Sequence, residues 1–129
     1  MPKPQKIHIT PALQDDRGEI IDIMTEPVHH VGIVTFKKGS VRGRHYHKES
    51  AQMNYILKGS VQLTMKDMTN KNSQPETIVM EERDMITMPE NWYHEFIGLE
   101  DDSVLLFSTT GGRHDSAAYE ADTYRIEKL

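Results

Sequence analysis

The chain has 129 residues, no cysteine and a formal net charge of −5 at pH 7, and its sequence pI is near 5.8. This length suits one domain with a hydrophobic core; the lack of cysteine excludes disulfides and thiolate chemistry, and the acidic balance argues against a nucleic-acid surface. No signal peptide and no run of about 18 apolar residues is present, so we expect a cytoplasmic protein with a small-molecule substrate and no membrane partner.

The apolar residues recur with a period near two, in short runs separated by glycine, proline and asparagine, as is typical of antiparallel β proteins. The runs that predict strands are residues 19–24, 31–36, 52–57, 61–66, 76–80, 84–88, 93–98 and 103–109. So many short strands predict an all-β sandwich or barrel of jelly-roll type.

We expect one domain over residues 1–129, with a core barrel at about 17–110 and a polar tail at about 111–129 that wraps the barrel or a partner subunit. A homodimer is expected because exposed edge strands need to be covered.

Two turns stand out between the predicted strands. Asp15, Asp16 and Arg17 precede Gly18 in a predicted turn, and Gly59 is predicted to take a positive φ in a tight hairpin at residues 58–60. The pair His29 and His30, just before a strand, is expected at the surface.

The residues with the clearest chemistry are histidines. His45 and His47 are one residue apart, so on a strand they point to the same side, which in a barrel can be the interior. By the same alternation Gln52 shares a face with Asn54 in the next strand, and a third histidine, His94, lies in a later strand. Three imidazoles and an amide oxygen would suit Zn, Fe, Mn or Ni, and the alternative is a polar barrel mouth without an ion.

The spacing of these residues resembles that of the cupin superfamily. Gly39, His45, His47 and Gly59 match the first cupin motif, with Gln52 at the position of its glutamate. Residues 83–98 are similar to the second motif. Pro89 and His94 are in place there, whereas the two glycines and the asparagine of the motif are replaced by Arg83, Asn91 and Gly98.

The cupin resemblance implies a double-stranded β-helix, the jelly-roll barrel of that family. It also implies a metal site made of His45, His47, Gln52 and His94. Because glutamine carries no negative charge, we expect a divalent ion to bind more weakly here than it would with glutamate.

A second resemblance concerns one branch of the cupins. The stretches "RGRHYHKESAQ", "DDRGEI" and "YEADTYRI" are similar to sugar-nucleotide ketoisomerases and epimerases. This resemblance implies that the histidines move protons beside the keto group of a nucleotide-linked sugar, without a metal cofactor.

Moving a keto group requires a base that takes the α proton and an acid that returns it, and histidine can serve near neutral pH. On this hypothesis His45 or His47 is the base, and Tyr46, Tyr55 and Tyr93 are the candidate acids. The candidates for binding the diphosphate and the nucleobase are Arg42, Arg44, Lys48 and Trp92.

Three functions therefore stay open at this point. The first is isomerisation or epimerisation of a nucleotide-linked keto-sugar, the second a metal-dependent cupin oxygenase or lyase, and the third a non-catalytic metal-binding or small-ligand-binding barrel. Cupins carry out all three, so the fold alone does not choose among them.

Overall fold

A computed structural model describes residues 3–110 and 116–129 of the chain. In chain order its elements are β1 (Lys6–His8), β2 (Leu13–Asp15), β3 (Gly18–Ile20), β4 (His30–Phe36), β5 (Val41–Tyr46), β6 (Gln52–Lys58), β7 (Ser60–Asp67), β8 (Glu76–Glu81), β9 (Asp84–Met88), β10 (Trp92–Gly98), β11 (Ser103–Thr109), α1 (Ser116–Ala121) and β12 (Tyr124–Arg125). The six-residue helix α1 is too short to cross a membrane, and no helix in the described ranges qualifies as a span.

The strands build two five-stranded antiparallel sheets that face each other, which confirms the predicted all-β jelly-roll barrel. The first sheet has the order β1-β9-β6-β11-β4 and the second the order β12-β5-β10-β7-β8, while β2 and β3 pair separately. Strands that follow one another along the chain mostly lie in different sheets, so the chain crosses the barrel repeatedly.

Most of the apolar core lies in one half of the barrel, between β6 and β9 of the first sheet and β7 and β8 of the second, and the rest lies on β4, β10 and β11. Ile56 and Ile86 meet Leu63 and Met80 there, and all four are fully buried. Burying an aliphatic side chain of this size contributes about 1.5–3 kcal/mol, so this half provides much of the stability. Most of the described methionines are buried, where their flexible side chains help to fill the apolar clusters.

A smaller apolar cluster covers the outer face of the first sheet. It joins Met53, Tyr55 and Met85 to the partly buried Ile9, Ile23, Met24 and Val28. This cluster explains why the predicted strand at 19–24 is wrong. Only the beginning of that run, in β3, pairs with β2, after the predicted turn at Asp15, because Ile23 and Met24 leave the ladder to pack on the sheet.

The remaining predicted strands, β4 and β6 to β11, agree with the predicted runs to within one residue at each end. Strands β1, β2, β5 and β12 lie outside those runs, and β1 and β12 extend the sheets beyond the predicted barrel bounds of 17–110. Of the predicted tail, residues 111–115 lie outside the described ranges, and the rest forms α1 and β12 against β5.

Gly59 has the predicted positive φ, at +79°, but the predicted hairpin is wrong. Lys58 ends β6 and Ser60 begins β7, and these strands belong to different sheets. Gly59 therefore turns the chain from one sheet to the other. A Cβ at this position would meet the side chain of Ser103 and lie 2.9 Å from its Cα, so a larger residue is excluded by space as well as by φ.

Two positions that are glycine in the second cupin motif have a positive φ in this chain, although neither is occupied by glycine. Arg83 has φ +73° and Asn91 has φ +67°, values that residues with a side chain rarely adopt. The backbone N–H of Asn91 donates to the backbone carbonyl of His47 at 2.6 Å. The turn between β9 and β10 is thus maintained without glycine, and it contacts the histidine motif directly.

Candidate active site

A β-bulge in β5 determines the direction in which the histidine side chains point. His45 pairs with His94, and Gly43 pairs with Glu95, so Arg44 is an extra residue without a partner in the ladder. Gly43 and Arg44 have φ values of +94° and +62°. A Cβ on Gly43 would lie 2.6 Å from the carbonyl oxygen of His94, so only glycine fits where β5 meets β10.

The bulge changes which side chains face inward. In a regular strand Arg42 and His45, three residues apart, would point to opposite faces. Here both line the same cavity, while Arg44 turns outward and its Nε donates to Glu95 Oε2 at 3.0 Å.

The structure brings His45, His47 and His94 together. One ring nitrogen from each lies within 4.8 Å of the others, and the ring centroids are 4.8 Å apart for His45–His47 and His45–His94. His47 and His94 are buried, and His45 is partly buried. The three imidazoles predicted from spacing thus form one cluster.

Backbone carbonyls determine the tautomer of two of these rings. Nδ1 of His47 lies 2.9 Å from the carbonyl oxygen of Asp122, and Nδ1 of His94 lies 3.1 Å from that of Trp92. A carbonyl only accepts, so each Nδ1 carries the hydrogen and each neutral ring keeps an unprotonated Nε2. Nε2 of His94 is buried and has no hydrogen-bond partner among the described residues.

The electrostatics of the cluster keep His94 neutral. Burial first, and then the neighbouring His45 and His47, lower the pKa of His94 from 6.5 to about 3. A neutral His94 accepts a hydrogen bond or binds a cation at physiological pH.

The hollow half of the barrel contains a cavity of about 520 Å³ between β4 and β11 on one side and β5 and β10 on the other. His45, His94 and Gln52 lie in its wall together with Arg42, and aromatic rings such as Phe107 form the rest. Gln52 Nε2 donates to Asn54 Oδ1 at 2.7 Å, as expected for two residues on the same face. The cavity is large enough for a small polar ligand.

The other predicted cationic and aromatic residues lie elsewhere. Lys48 Nζ sits 4.4 Å above the ring of Tyr124 on the outside of β5. Trp92 is buried in the core cluster, and its Nε1 has no hydrogen-bond partner among the described residues. Of the four predicted substrate-binding residues, only Arg42 lies in the cavity wall; Arg44, Lys48 and Trp92 do not.

The predicted tyrosine acids also lie outside the cavity wall. Tyr46 stacks on Tyr124 with the ring centroids 5.2 Å apart, and Tyr55 belongs to the outer apolar cluster, where burial raises its pKa. Tyr93 donates to Glu95 Oε2 at 3.2 Å, and burial followed by the Glu95 charge raises its pKa to about 12.

Sequence reasoning missed two cavity residues. Tyr119 on α1 enters the wall with its ring centroid 5.5 Å from that of His47 and 6.4 Å from that of His45. His30, expected at the surface beside His29, instead points into the cavity from β4, whereas His29 is exposed. Tyr119 lies within the "YEADTYRI" stretch of the sequence resemblance, but no local spacing ties it to the histidines.

The cluster fits a divalent cation by its own chemistry. It offers three imidazole nitrogens within 4.8 Å of one another, two rings are oriented by carbonyls as metal-binding histidines usually are, and the buried Nε2 of His94 lacks a protein partner. In the metal hypothesis Gln52 supplies an amide oxygen in place of a carboxylate. The same geometry also suits proton transfer.

Comparison with known proteins gives both a family and a fold. The family model described as polysaccharide biosynthesis C-terminal domain matches residues 13–124. No curated protein sequence matches the chain.

Three solved structures of similar fold each share 19% sequence identity with this chain. The rmlC epimerase of Mycobacterium tuberculosis has a TM-score of 0.80, covering 97% of this chain and 69% of its own. A mutant 3,4-ketoisomerase QdtA of Thermoanaerobacterium thermosaccharolyticum, in complex with TDP-4-keto-6-deoxyglucose, has a TM-score of 0.77 with coverage of 95% and 87%. The WlaRB TDP-quinovose 3,4-ketoisomerase of Campylobacter jejuni has a TM-score of 0.78 with coverage of 98% and 95%. These likenesses confirm the cupin jelly-roll fold.

Proposed function

The chain belongs to the family described as polysaccharide biosynthesis C-terminal domain, and on that premise we propose that it isomerises or epimerises a nucleotide-linked keto-sugar. The observation that carries the proposal is the cluster of His45, His47 and His94, because His45 and His94 line a cavity that also has Arg42 in its wall. Proteins of similar fold act on TDP-linked sugars of this class, which supports the choice of substrate.

The chemistry required is a proton transfer beside a carbonyl. A base removes the proton from the carbon next to the keto group, and the electron pair of that C–H bond forms an enediolate. The keto group moves when the proton returns to the former carbonyl carbon and the neighbouring hydroxyl proton passes to the former carbonyl oxygen. Returning the proton to the opposite face of the same carbon inverts that carbon. Both outcomes conserve atoms and electrons and need no external oxidant.

Within this proposal His45 or His47 is the base. His94 stays neutral because its pKa is about 3, so it does not take over the proton that the base removes from the sugar. Tyr119, whose ring lies beside both His45 and His47, replaces Tyr46, Tyr55 and Tyr93 as our candidate for the acid.

Arg42 is our candidate for contact with the diphosphate. Its Nε donates to the carbonyl of Thr35 at 3.2 Å, and its guanidinium lies 5.9 Å from the centroid of Phe36 in the cavity wall. Arg44 and Lys48 are engaged by Glu95 and Tyr124. A guanidinium binds phosphate oxygens in a bidentate manner, so TDP binding should weaken with salt and with Arg42→Gln.

The test is turnover of TDP-4-keto-6-deoxyglucose in deuterated buffer, followed by NMR. We expect deuterium at a carbon next to the keto group, with a shifted keto group or an inverted centre in the product. His45→Asn and His47→Asn should suppress exchange, and Lys66→Gln, at a solvent-accessible site outside the cavity wall, should retain it. Wild-type protein that binds the sugar nucleotide without exchanging any proton would contradict an isomerase function.

The geometry of the histidine cluster also favours a second candidate function, metal-dependent catalysis by a bound Zn, Fe, Mn or Ni ion. Here the ion would polarise a substrate oxygen, and His45, His47, His94 and Gln52 would hold it. Metal analysis of the purified protein, and melting with and without each added ion, measure this directly. A metal-free protein whose melting does not respond to these ions would exclude it.

The homodimer is also proposed. Edge strand β4 exposes Val31 and Ile33 on its outer face, at 54% and 61%, and such a strand is normally covered in solution. Sedimentation analysis tests this, with Ile33→Lys expected to give the monomer. The cytoplasmic location stays a prediction from the sequence.

A further inference from the structure

A second polar row lies on the cavity wall opposite the histidine cluster. In the first sheet Thr109 pairs with His30 of β4 on one side and with Gln52 of β6 on the other. Residues directly opposite in antiparallel strands point to the same face. Since His30 and Gln52 line the cavity, Thr109 points to that side as well. His45 and His94 belong to the second sheet and face this row across the cavity.

His30 and Thr109, which pair across the two strands, each have a polar atom without a partner in the described part of the chain. His30 Nδ1 and Thr109 Oγ1 are buried, and neither has a hydrogen-bond partner among the described residues. Buried polar atoms are nearly always hydrogen-bonded in folded proteins, since leaving them unpaired costs stability. His30 lines the cavity and Thr109 is its strand partner, so a ligand in the cavity is the available source of the missing bonds.

The ring of His30 is fixed by its surroundings. Its centroid lies 5.5 Å from that of Phe107. Gly32, two residues along β4, makes room for this contact, because a Cβ there would come within 2.6 Å of Phe107 and 3.3 Å of His30. A side chain held in place before the ligand arrives loses little entropy on binding.

We propose that His30 and Thr109 form a subsite that binds hydroxyl groups of the sugar ring, on the face turned away from His45 and His94. A sugar hydroxyl both donates and accepts, so it can satisfy an imidazole nitrogen and a threonine hydroxyl. The subsite rests on the proposed function for the nature of the sugar. It distinguishes sugars by their hydroxyl groups, whereas other residues bind the nucleotide.

The variants that test the subsite are Thr109→Val, which keeps the shape and removes the hydroxyl, and His30→Phe, which keeps an aromatic ring and removes the nitrogens. Thr87→Val is the matched control, because Thr87 is exposed on β9 outside the cavity. Calorimetry measures the dissociation constants of TDP and of TDP-4-keto-6-deoxyglucose for each protein, and melting is recorded alongside.

We expect Thr109→Val and His30→Phe to weaken the sugar nucleotide about tenfold while TDP binding changes less than twofold. Thr109→Val should melt no lower than wild type, because it removes an unpaired buried hydroxyl. Thr87→Val should leave both constants unchanged.

Equal loss of TDP and sugar nucleotide, or no loss of either, would overturn the subsite. So would a wild-type protein that binds the sugar nucleotide no more tightly than TDP. These are binding results, so they stand apart from the proposed function, which fails if wild-type protein binds the sugar nucleotide but exchanges no proton. If His30→Phe alone fails to fold, Thr109→Val still decides the question.

Discussion

The two halves of this barrel share the same alternation of inward and outward side chains but have different roles. Between β6, β7, β8 and β9 the inward residues are large and apolar, such as Ile56 and Leu63, and they leave no space. Between β4, β5, β10 and β11 the inward row includes Gly32 and several histidines, and a cavity of about 520 Å³ stays open with unpaired polar atoms in its wall.

This difference shows that stability and function depend mainly on different parts of the same fold. Filling space lowers the free energy of the folded chain, whereas a cavity with unpaired polar groups raises it until a ligand binds. Substitutions in the filled half should therefore affect stability, and those in the hollow half should affect binding and turnover.

The largest effect is expected in the hollow half from His47→Asn. Loss of a proton-transfer group typically lowers the rate by about 10²–10⁴-fold, and we expect this in kcat for TDP-4-keto-6-deoxyglucose with a nearly unchanged melting temperature. A variant that retains more than a tenth of wild-type kcat would remove His47 from the reaction.

The converse effect is expected in the filled half from Leu63→Ala. This fully buried residue contacts both sheets' apolar side chains, and its truncation should lower the free energy of unfolding by about 2–5 kcal/mol. Urea denaturation measures the loss. The kcat per folded molecule should stay at the wild-type value, and a parallel loss of kcat would show that the two halves are coupled.

A smaller effect on turnover is expected from Asp122→Ala. The carboxylate of Asp122 accepts hydrogen bonds from the amides of Lys48 and Glu49, at 2.9 and 3.2 Å, and its own carbonyl orients His47. The alanine variant keeps this carbonyl but loses the carboxylate that anchors it, so kcat should fall by at most the roughly 10–100-fold that loss of an orienting contact costs. Glu127→Ala is the control on the same tail, because Glu127 is exposed and lies outside the cavity wall. Equal kcat values for the two variants would contradict the positioning role.

The effect that is smallest near neutral pH concerns the pH dependence of stability. His94 has a folded-state pKa of about 3, whereas its ordinary pKa is 6.5. Between these pH values His94 is protonated in the unfolded chain and neutral in the folded chain. Stability should fall as pH drops from 6.5 towards 3, by at most about 1.4 kcal/mol per pH unit from this residue. Urea denaturation in EDTA should give a shallower slope for His94→Gln. Identical slopes would show that His94 titrates normally.

Local spacing was enough to predict much of the hollow half. His45, His47 and Gln52 were identified by their separation along one motif and His94 by its distance from Pro89, and the structure brings the three histidines together. Strand positions were predicted well where apolar alternation is strong, since burial of one face imposes the period of two.

What was missed depends on contacts between distant residues. His30 and Tyr119 reach the cavity from β4 and from the tail, and no local pattern shows which sheet edge or helix ends beside β5. The bulge at Gly43 and Arg44 was also missed, because one extra residue in a ladder is invisible without its partner strand. For the same reason Gly59 was predicted with the right φ in the wrong kind of turn.

The docking of the tail on β5 has a consequence for the order of folding. Nδ1 of His47 bonds to the carbonyl of Asp122, and among the described strands β12 pairs with β5. Strand β12 has two exposed residues and α1 has six, so this tail has little stability of its own and should dock after the barrel sheets have formed. The single tryptophan, Trp92, lies in the apolar core and reports the collapse of the barrel. In refolding experiments its fluorescence should recover before enzymatic activity does, so a chain can already be folded by that measure while His47 still lacks its final orientation.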